Sequence, residues 1–397
     1  MLHWHSDQIT RRTKMNSQPP AITKPDSRLR ILDGVRGWAA LSVVFFHLLW
    51  ETFGQIHAGF RNPIFAFLFD GDLAVSIFFI VSGEALSTAY FSGKGASSTV
   101  KLAIKRYPRL VIPIFATCTL TAAIMYLGLN QNVEAGFIVD RSDWLGSWLH
   151  FSPSIRDLLR YSFLGAFEKT PPEMSFNPFL WTMRPELFGS AMVFALIGLF
   201  HTFKKLGENA PLVLIAMLSS LLIASLFIPI SSHISCFLFG MLFASVRRRG
   251  WINAARNNSF YQSISSVGFV LVCTLDGVLH WTGHVGFEHL IAAAILWIGH
   301  TNLALFRFLV GRVSMFLGKI SFPIYLVQLP ILVSLTSYLI AWSSRNGFIN
   351  SPITACAICM TSVVACILAA LAFEPVEIFT KLVGDLLVRV VLPWFGK

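Results

Sequence analysis

An arginine and a histidine, Arg36 and His47, lie eleven residues apart in one apolar stretch of the chain. On an α-helix, eleven residues return to within roughly 20° of the same face and rise roughly 16 Å. A histidine can take a proton from a hydroxyl near neutral pH, and an ionisable group inside a bilayer is costly and often functional. The alternative is a buried histidine that hydrogen-bonds a neighbouring helix. We predict that His47 is a general base in the outer half of a membrane helix, with Arg36 at its cytoplasmic end.

A second basic motif contains Arg106 and Arg109, which are three residues apart at the start of another apolar stretch. This spacing places both side chains on one helix face. Paired guanidinium groups bind phosphate oxygens well, and coenzyme A is a cytosolic molecule with several phosphates. The alternative is a positively charged anchor at the lipid headgroups. Taken alone, the pair fits a lipid-headgroup anchor better than a binding site for a phosphate-bearing ligand such as coenzyme A.

Glu186 follows Trp181 near the start of a further apolar stretch. We expect this helix to begin outside, which would place Glu186 at a depth comparable with that of His47. A carboxylate there could orient the imidazole or bind acceptor hydroxyls. The alternative is a structural ion pair, with Arg184 or with another helix.

Other polar residues within apolar stretches include Asp72, Tyr325 and Gln328. Such residues are more often packing or hydrogen-bonding partners than catalysts. No metal site is predicted, because the histidines around one predicted external turn lack an accompanying carboxylate–histidine motif. These histidines are His280, His284 and His289.

Composition shows which elements must position these side chains. The 397 residues are 55% hydrophobic and 13% charged, whereas soluble domains carry nearer a quarter charged residues. The net charge of +11 does not indicate nucleic-acid binding, because the basic residues are spread over short loops. A membrane span needs about 20 apolar residues. The ten candidate spans are residues 35–53, 73–91, 110–129, 178–203, 211–230, 233–246, 262–281, 288–306, 315–342 and 352–373.

The distribution of basic residues predicts the orientation of this all-α membrane domain. With both termini in the cytoplasm, 23 of the 31 lysines and arginines fall on the cytoplasmic side and six outside, as the positive-inside rule requires. We predict a disordered cytoplasmic tail over 1–30, a transmembrane domain over 31–377 and an amphipathic cytoplasmic tail over 378–397. The external loop, 130–177, contains Trp144 and Trp148, which could stack on sugars or anchor at lipid headgroups, and 144–151 could form a short interfacial helix.

Taken together, these motifs resemble the acyltransferase 3 family of multi-pass membrane O-acyltransferases. The resemblance runs from about residue 30 to residue 377. It includes three departures: Gln328 stands where many members have histidine, Glu84 replaces an apolar residue, and the Glu374-Pro375 pair lacks the family spacing. The similar segments are Arg36 to His47, 76–83, Arg106 to Arg109, Trp181 to Glu186, 321–330 and, loosely, Glu374-Pro375.

The resemblance implies a transferase that moves an acyl group, most simply acetyl, from acyl-CoA to a carbohydrate hydroxyl on the external face. Acyl-CoA would be a co-substrate from the cytosol, held by Arg106, Arg109 and Arg36, with no bound cofactor. His47 would be the general base, and Glu186 would assist it or bind the acceptor. The expected setting is the bacterial inner membrane, with a surface glycan, lipopolysaccharide or other glycolipid as acceptor. The further substrate-binding residues expected are Asp72, Trp181, Tyr325 and Gln328.

Other functions are compatible with the same residues. Polar groups inside membrane helices also mark transport paths, so a transporter exporting a glycan or an anion is the main alternative. The sequence shows no inverted repeat, which many transporters have. Two further alternatives are a membrane scaffold and an acyltransferase that acts on a lipid or a small hydroxylated metabolite.

Overall fold

The computed structural model describes residues 27–225, 232–284 and 286–395, and the regular secondary structure of these residues is entirely helical. Most of the predicted N-terminal tail, residues 1–26, lies outside the described residues. A π-helical segment, Phe46–Phe53, continues α1, and a second one, Leu332–Thr336, joins α15 to α16. The α-helices are α1 Ser27–Phe45, α2 Pro63–Leu68, α3 Gly71–Phe91, α4 Gly95–Tyr126, α5 Asn132–Ile138, α6 Ile155–Phe163, α7 Met183–Thr202, α8 Lys204–Glu208, α9 Ala210–Ser225, α10 Ser232–Arg248, α11 Trp251–Arg256, α12 Ser259–Trp281, α13 Glu288–Thr301, α14 Leu303–Leu309, α15 Arg312–Ile331, α16 Ser337–Arg345, α17 Pro352–Ala372 and α18 Glu374–Val391.

Seven helical segments among the described residues are long and apolar enough to cross a membrane, which confirms a multi-pass helical fold. Helices α13 and α14, bent by 94°, form an eighth if they are one span. The other two predicted spans lie in α9 and α10, which have 16 and 17 residues. Within the described residues both are shorter than the roughly 20 residues that cross a bilayer, and residues 226–230 of the predicted span 211–230 lie outside the described residues. The seven segments are Arg30–Phe53, Pro63–Phe91, Ser97–Tyr126, Pro178–Thr202, Ser259–Trp281, Arg312–Arg345 and Pro352–Val391.

The helix that carries Arg36 and His47 packs closely against α15. A Cβ atom added to Gly37 would lie 2.5 Å from the backbone nitrogen of Gly318, so only glycine permits this approach. Gly34 faces Ser314, and Gly37 faces Leu317. The contacts advance together along the two chains, so α1 and α15 run in parallel. This packing brings the second half of α15 to the level of His47.

A second close contact joins α3 to α10. A Cβ atom on Gly83 would lie 2.3 Å from the carbonyl oxygen of Phe237, and one on Gly240 would lie 2.0 Å from that of Ile80. Two main apolar cores result: one surrounds the C-terminal part of α1, α15 and α17, and the other surrounds α3, α10 and α13. A small third cluster packs α1 directly against α3 through Ala39, Val43 and Ala74.

The segment between α4 and α7, predicted as an external loop, lies partly alongside α4. The hydroxyl of Tyr107 donates to the carbonyl oxygen of Phe163 at 2.6 Å, and the Phe115 and Phe163 rings are 5.8 Å apart. Tyr107 is 19 residues, or roughly 28 Å of helix, before Tyr126 at the end of α4. Within 144–151, the suggested interfacial helix is a single 3-10 turn, Leu145–Ser147.

Candidate active site

His47 lies in the π-helical continuation of α1, and aromatic rings surround its imidazole. The ring of Phe179 is parallel to the imidazole at 3.9 Å, and the Trp144 ring is stacked at 5.7 Å. Trp148 is buried and packs edge-on against both Trp144 and Phe179. The histidine is thus enclosed by protein rings, and Trp148 is an internal packing residue rather than an anchor at lipid headgroups. π-helical turns are rare and are frequent at functional sites.

Arg106 is the centre of a buried polar cluster, which lies at the level of Arg36 on α1 rather than at the level of His47. Its guanidinium is ion-paired with Glu186, and its Nε donates to the Ser190 hydroxyl at 2.8 Å. The Ser82 hydroxyl donates to the same Glu186 oxygen at 2.5 Å. The side chains of Arg106 and Glu186 are only 12% and 10% exposed. Helices α3, α4 and α7 therefore meet in one hydrogen-bonded network.

Arg36 and Arg109 complete a group of three converging guanidinium groups. Arg36 lies within electrostatic range of Arg109, Arg106 and Glu186. Its nearest counter-ion is Asp33, at 3.6 Å. Arg109 has an exposed side chain and donates no hydrogen bond to a side chain or carbonyl among the described residues. It lies within electrostatic range of Arg106, Glu186 and Glu377. The group thus contains one arginine whose donors remain open to a ligand.

The structure places Glu186 with the arginines and not with His47, which corrects the depth expected from the sequence. Phe179, which stacks on His47, precedes Glu186 by seven residues, and those residues descend roughly 10 Å along the helical segment. The reason is that a 3-10 turn, Pro178–Thr182, precedes α7 at the level of His47. The structure shows no hydrogen bond or ion pair between Glu186 and His47.

The four predicted substrate-binding residues occupy different environments. Tyr325 and Gln328 are buried beside His47 and Phe179: the Tyr325 hydroxyl donates to the Phe179 carbonyl oxygen, and Gln328 shares a small cavity with His47. Trp181 is half-exposed, with its ring 5.7 Å from that of His233. Asp72 is exposed in the first turn of α3. Only Tyr325 and Gln328 are thus brought to the histidine.

Sequence reasoning missed several residues of this site. Phe179 carried no signal beyond its position two residues before Trp181. The serines that bond the Arg106–Glu186 pair, Ser82 and Ser190, are common in packed membrane helices, so their role depends on tertiary contacts. Ser82 nevertheless belongs to one of the recognised motifs, 76–83, and this was the available signal.

A separate buried ion cluster lies on the other side of α3. Glu84 is fully buried, is ion-paired with Arg247, and lies 2.9 Å from Nε2 of His300. These residues join α3, α10 and α13. The unexpected carboxylate at position 84 therefore has cationic and imidazole partners within the bundle.

Two of the three histidines around the predicted external turn, His280 and His284, lie beside other polar groups. His280 Nδ1 lies 3.0 Å from Asp70, and His284 Nδ1 lies 2.9 Å from the Thr282 hydroxyl. Within the described ranges, no group of three His, Cys, Asp or Glu side chains is arranged to hold a metal ion. His280 also packs 4.7 Å from the ring of Trp50, one turn beyond His47.

Fold and site together define a multi-pass helical membrane protein with cationic groups at one level and an enclosed histidine at another. The model of the acyltransferase 3 family, described as an acyltransferase domain, matches residues 29–371. The chain therefore belongs to this acyltransferase family, as its motifs suggested. No curated protein and no solved structure matches the chain.

Proposed function

We propose that this protein transfers an acyl group, most simply acetyl, from acyl-CoA to a hydroxyl of a surface or exported carbohydrate. The observation that carries the proposal is the arrangement on α1: Arg36 lies in a cationic group and His47 lies eleven residues further on, enclosed by aromatic rings. The separation along the helix is roughly 16 Å. One helix thus links a site for an anionic donor to a site for proton transfer.

The donor would bind at the group of three arginines. Glu186 balances Arg106 and Asp33 lies near Arg36, so the charge available to a ligand comes mainly from Arg109. Guanidinium groups make charge-assisted, often paired hydrogen bonds to phosphate oxygens. With the coenzyme A phosphates held there, the pantetheine arm would run along the Arg36–His47 face and deliver the thioester to His47.

The chemical step would use the accessible nitrogen of His47. Its Nε2 takes the proton of the acceptor hydroxyl while that oxygen bonds to the thioester carbonyl carbon. The carbon–sulfur bond then breaks, and the coenzyme A thiolate takes the proton from the imidazolium. Products are the O-acyl ester and free coenzyme A, and His47 returns to its neutral form.

The acceptor would approach from the external side, over Trp144. This ring is partly exposed and stacks toward His47, and flat sugar faces pack well on aromatic rings. Asp72, exposed at the external end of α3, would bind acceptor hydroxyls. Glu186 would act on the donor side, through Arg106, rather than on the acceptor.

For the topology we propose ten crossings with both termini in the cytoplasm of a bacterial inner membrane. Each of the ten apolar stretches lies largely within helix, and the two short helices α9 and α10 would cross as a pair. The charge distribution supports this orientation. Segment 1–30 would be a cytoplasmic tail and 31–377 the acyltransferase domain. The tail 378–397 would lie on the inner membrane surface, because α18 exposes the apolar side chains Ile378, Phe379, Leu382 and Leu386.

The experiment is mass spectrometry of cell-surface glycans from cells that carry the intact gene, His47→Ala or the control His150→Ala. His150 is an exposed histidine in residues 130–177, the segment predicted to be external. We expect O-acylation with the intact gene and the control, and its loss with His47→Ala. Undiminished O-acylation by His47→Ala, at equal membrane levels of protein, would refute the assignment. If His47→Ala instead abolished glycan export and left acylation unaltered, the result would favour a transporter.

A further inference from the structure

The two imidazole nitrogens of His47 have different surroundings. Nδ1 is buried and makes no hydrogen bond to another described residue. Nε2, in contrast, is not fully buried, and it has no hydrogen-bond partner among the described residues. It is therefore open to an incoming group. A neutral imidazole that accepts a proton at Nε2 must carry its own hydrogen on Nδ1. The buried Nδ1–H therefore needs an acceptor inside the protein.

Gln328 on α15 presents such an acceptor. Its Nε2 donates to the Tyr325 carbonyl oxygen at 3.0 Å, and this bond determines which end of the amide is nitrogen. The other end, Oε1, is buried and receives no hydrogen bond from the described residues. Gln328 is therefore held with a free lone pair in the packed interior, at the level of His47.

His47 and Gln328 line the same cavity, whose volume is about 10 Å³. This is about the volume that one water molecule requires. The cavity therefore has room for only one water, and both His47 and Gln328 line it. Thr336, from the second π-helical segment, also lines this cavity.

Thr336 can provide a further acceptor. Its hydroxyl bonds to that of Ser362 at 2.7 Å, and the Ser362 hydroxyl donates to the Ile358 carbonyl oxygen at 2.8 Å. When the Ser362 hydrogen is on the Ile358 carbonyl oxygen, Thr336 is the donor in the bond between the two hydroxyls. The Thr336 oxygen keeps a lone pair that can accept from a water.

We propose that Gln328 is a positioning residue for His47 and that one water connects them. The water accepts Nδ1–H of His47 and donates to Gln328 Oε1 and to the Thr336 hydroxyl. Buried waters typically make about three such bonds. The arrangement keeps the hydrogen on Nδ1 and the lone pair on Nε2, where the acceptor hydroxyl arrives. This inference rests on the proposed role of His47 as the base.

The kinetic test uses three variants of purified protein in proteoliposomes: Gln328→Leu, Gln328→Glu and the control Ile331→Val. Ile331 lines the same cavity and offers no side-chain hydrogen bond. We expect Gln328→Leu to lower kcat roughly 10- to 100-fold, since a buried donor loses its acceptor, with KM for acyl-CoA unchanged. Gln328→Glu, which keeps an acceptor oxygen, should recover most of kcat, and Ile331→Val should match the wild type.

A second measurement does not depend on activity. Nitrogen-15 NMR of histidine-labelled protein distinguishes the two imidazole tautomers, and the His47→Asn variant identifies the His47 signals. We expect a single tautomer with hydrogen on Nδ1, and a mixture in Gln328→Leu. Wild-type kcat together with an unchanged tautomer in Gln328→Leu would overturn the inference. Activity retained by His47→Asn would instead reject the proposed function, and the NMR result would still decide the hydrogen bond.

Discussion

Replacing Glu186 with glutamine removes the negative charge that faces Arg106 and leaves a guanidinium uncompensated. Both side chains are about nine-tenths buried, at 10% and 12% exposure. Removing one partner of a buried ion pair costs about 3–5 kcal/mol, whereas an exposed pair contributes about 0–1 kcal/mol. The structure places this pair in the first class. Glu186→Gln should therefore lower the free energy of unfolding by about 3–5 kcal/mol.

Thermal unfolding in detergent micelles provides the assay, with Glu134→Gln as the matched control. Glu134 is paired with Arg345, and these side chains are 47% and 64% exposed. We expect Tm to fall by roughly 5 °C or more for Glu186→Gln and to stay nearly constant for the control. Adding Arg106→Gln to Glu186→Gln should restore part of the loss, because the unpaired charge is then gone.

Two results would refute this reasoning. The first is a Glu186→Gln variant that is as stable as the control. The second is a double variant whose loss equals the sum of the single losses, since that would mean that the two residues are not coupled. A carboxylate that acted directly on His47 would give a different pattern, with kcat lowered and Tm unchanged.

Three further predictions concern the donor site, the base and the second ion cluster. His47→Asn should lower kcat about 10²- to 10⁴-fold and leave KM for acyl-CoA near the wild-type value in steady-state assays with proteoliposomes. A rise in KM as large as the fall in kcat would contradict a purely chemical role. Arg109→Ala should raise KM for acyl-CoA roughly tenfold or more, and Arg109→Lys less, because the lost bonds are to a charged group; an unchanged KM would remove Arg109 from the donor site. Glu84→Gln should lower Tm as much as other broken buried pairs do, because it removes the negative charge that faces Arg247 in the buried cluster, while kcat per folded molecule stays the same.

The helical membrane fold and the pairing of Arg106 with Arg109 on one helix could be predicted from the sequence, and the family resemblance suggested that Arg36 joins them. Long apolar stretches with few charges can bury their backbone polar groups in a bilayer only as helices. Arg106 and Arg109 share a helix face by local helical spacing. Arg36 lies on another helix, and its position near them is a tertiary contact.

The partner of Glu186 could not be read in the same way. Its depth depends on where α7 begins, and the turn Pro178–Thr182 occupies the level at which we had expected the carboxylate. Likewise, the apolar pattern does not reveal the π-helical turn that carries His47. The amide nitrogen of Gln328 donates to the Tyr325 carbonyl oxygen, and this contact turns the amide oxygen of Gln328 toward the interior without a partner among the described residues. Such details come from tertiary packing.

The most direct test of the account is the sidedness of the reaction in proteoliposomes of known orientation. Acetyl-CoA with a labelled acetyl group is supplied either on the side of Arg109 or on the side of Trp144, with a carbohydrate acceptor enclosed on the Trp144 side. The account predicts labelled O-acetyl ester on the acceptor only when acetyl-CoA is on the Arg109 side, and none with His47→Ala. Equal labelling from either side, or labelling that persists in His47→Ala, would contradict the claim that α1 links a cytosolic donor to an external acceptor.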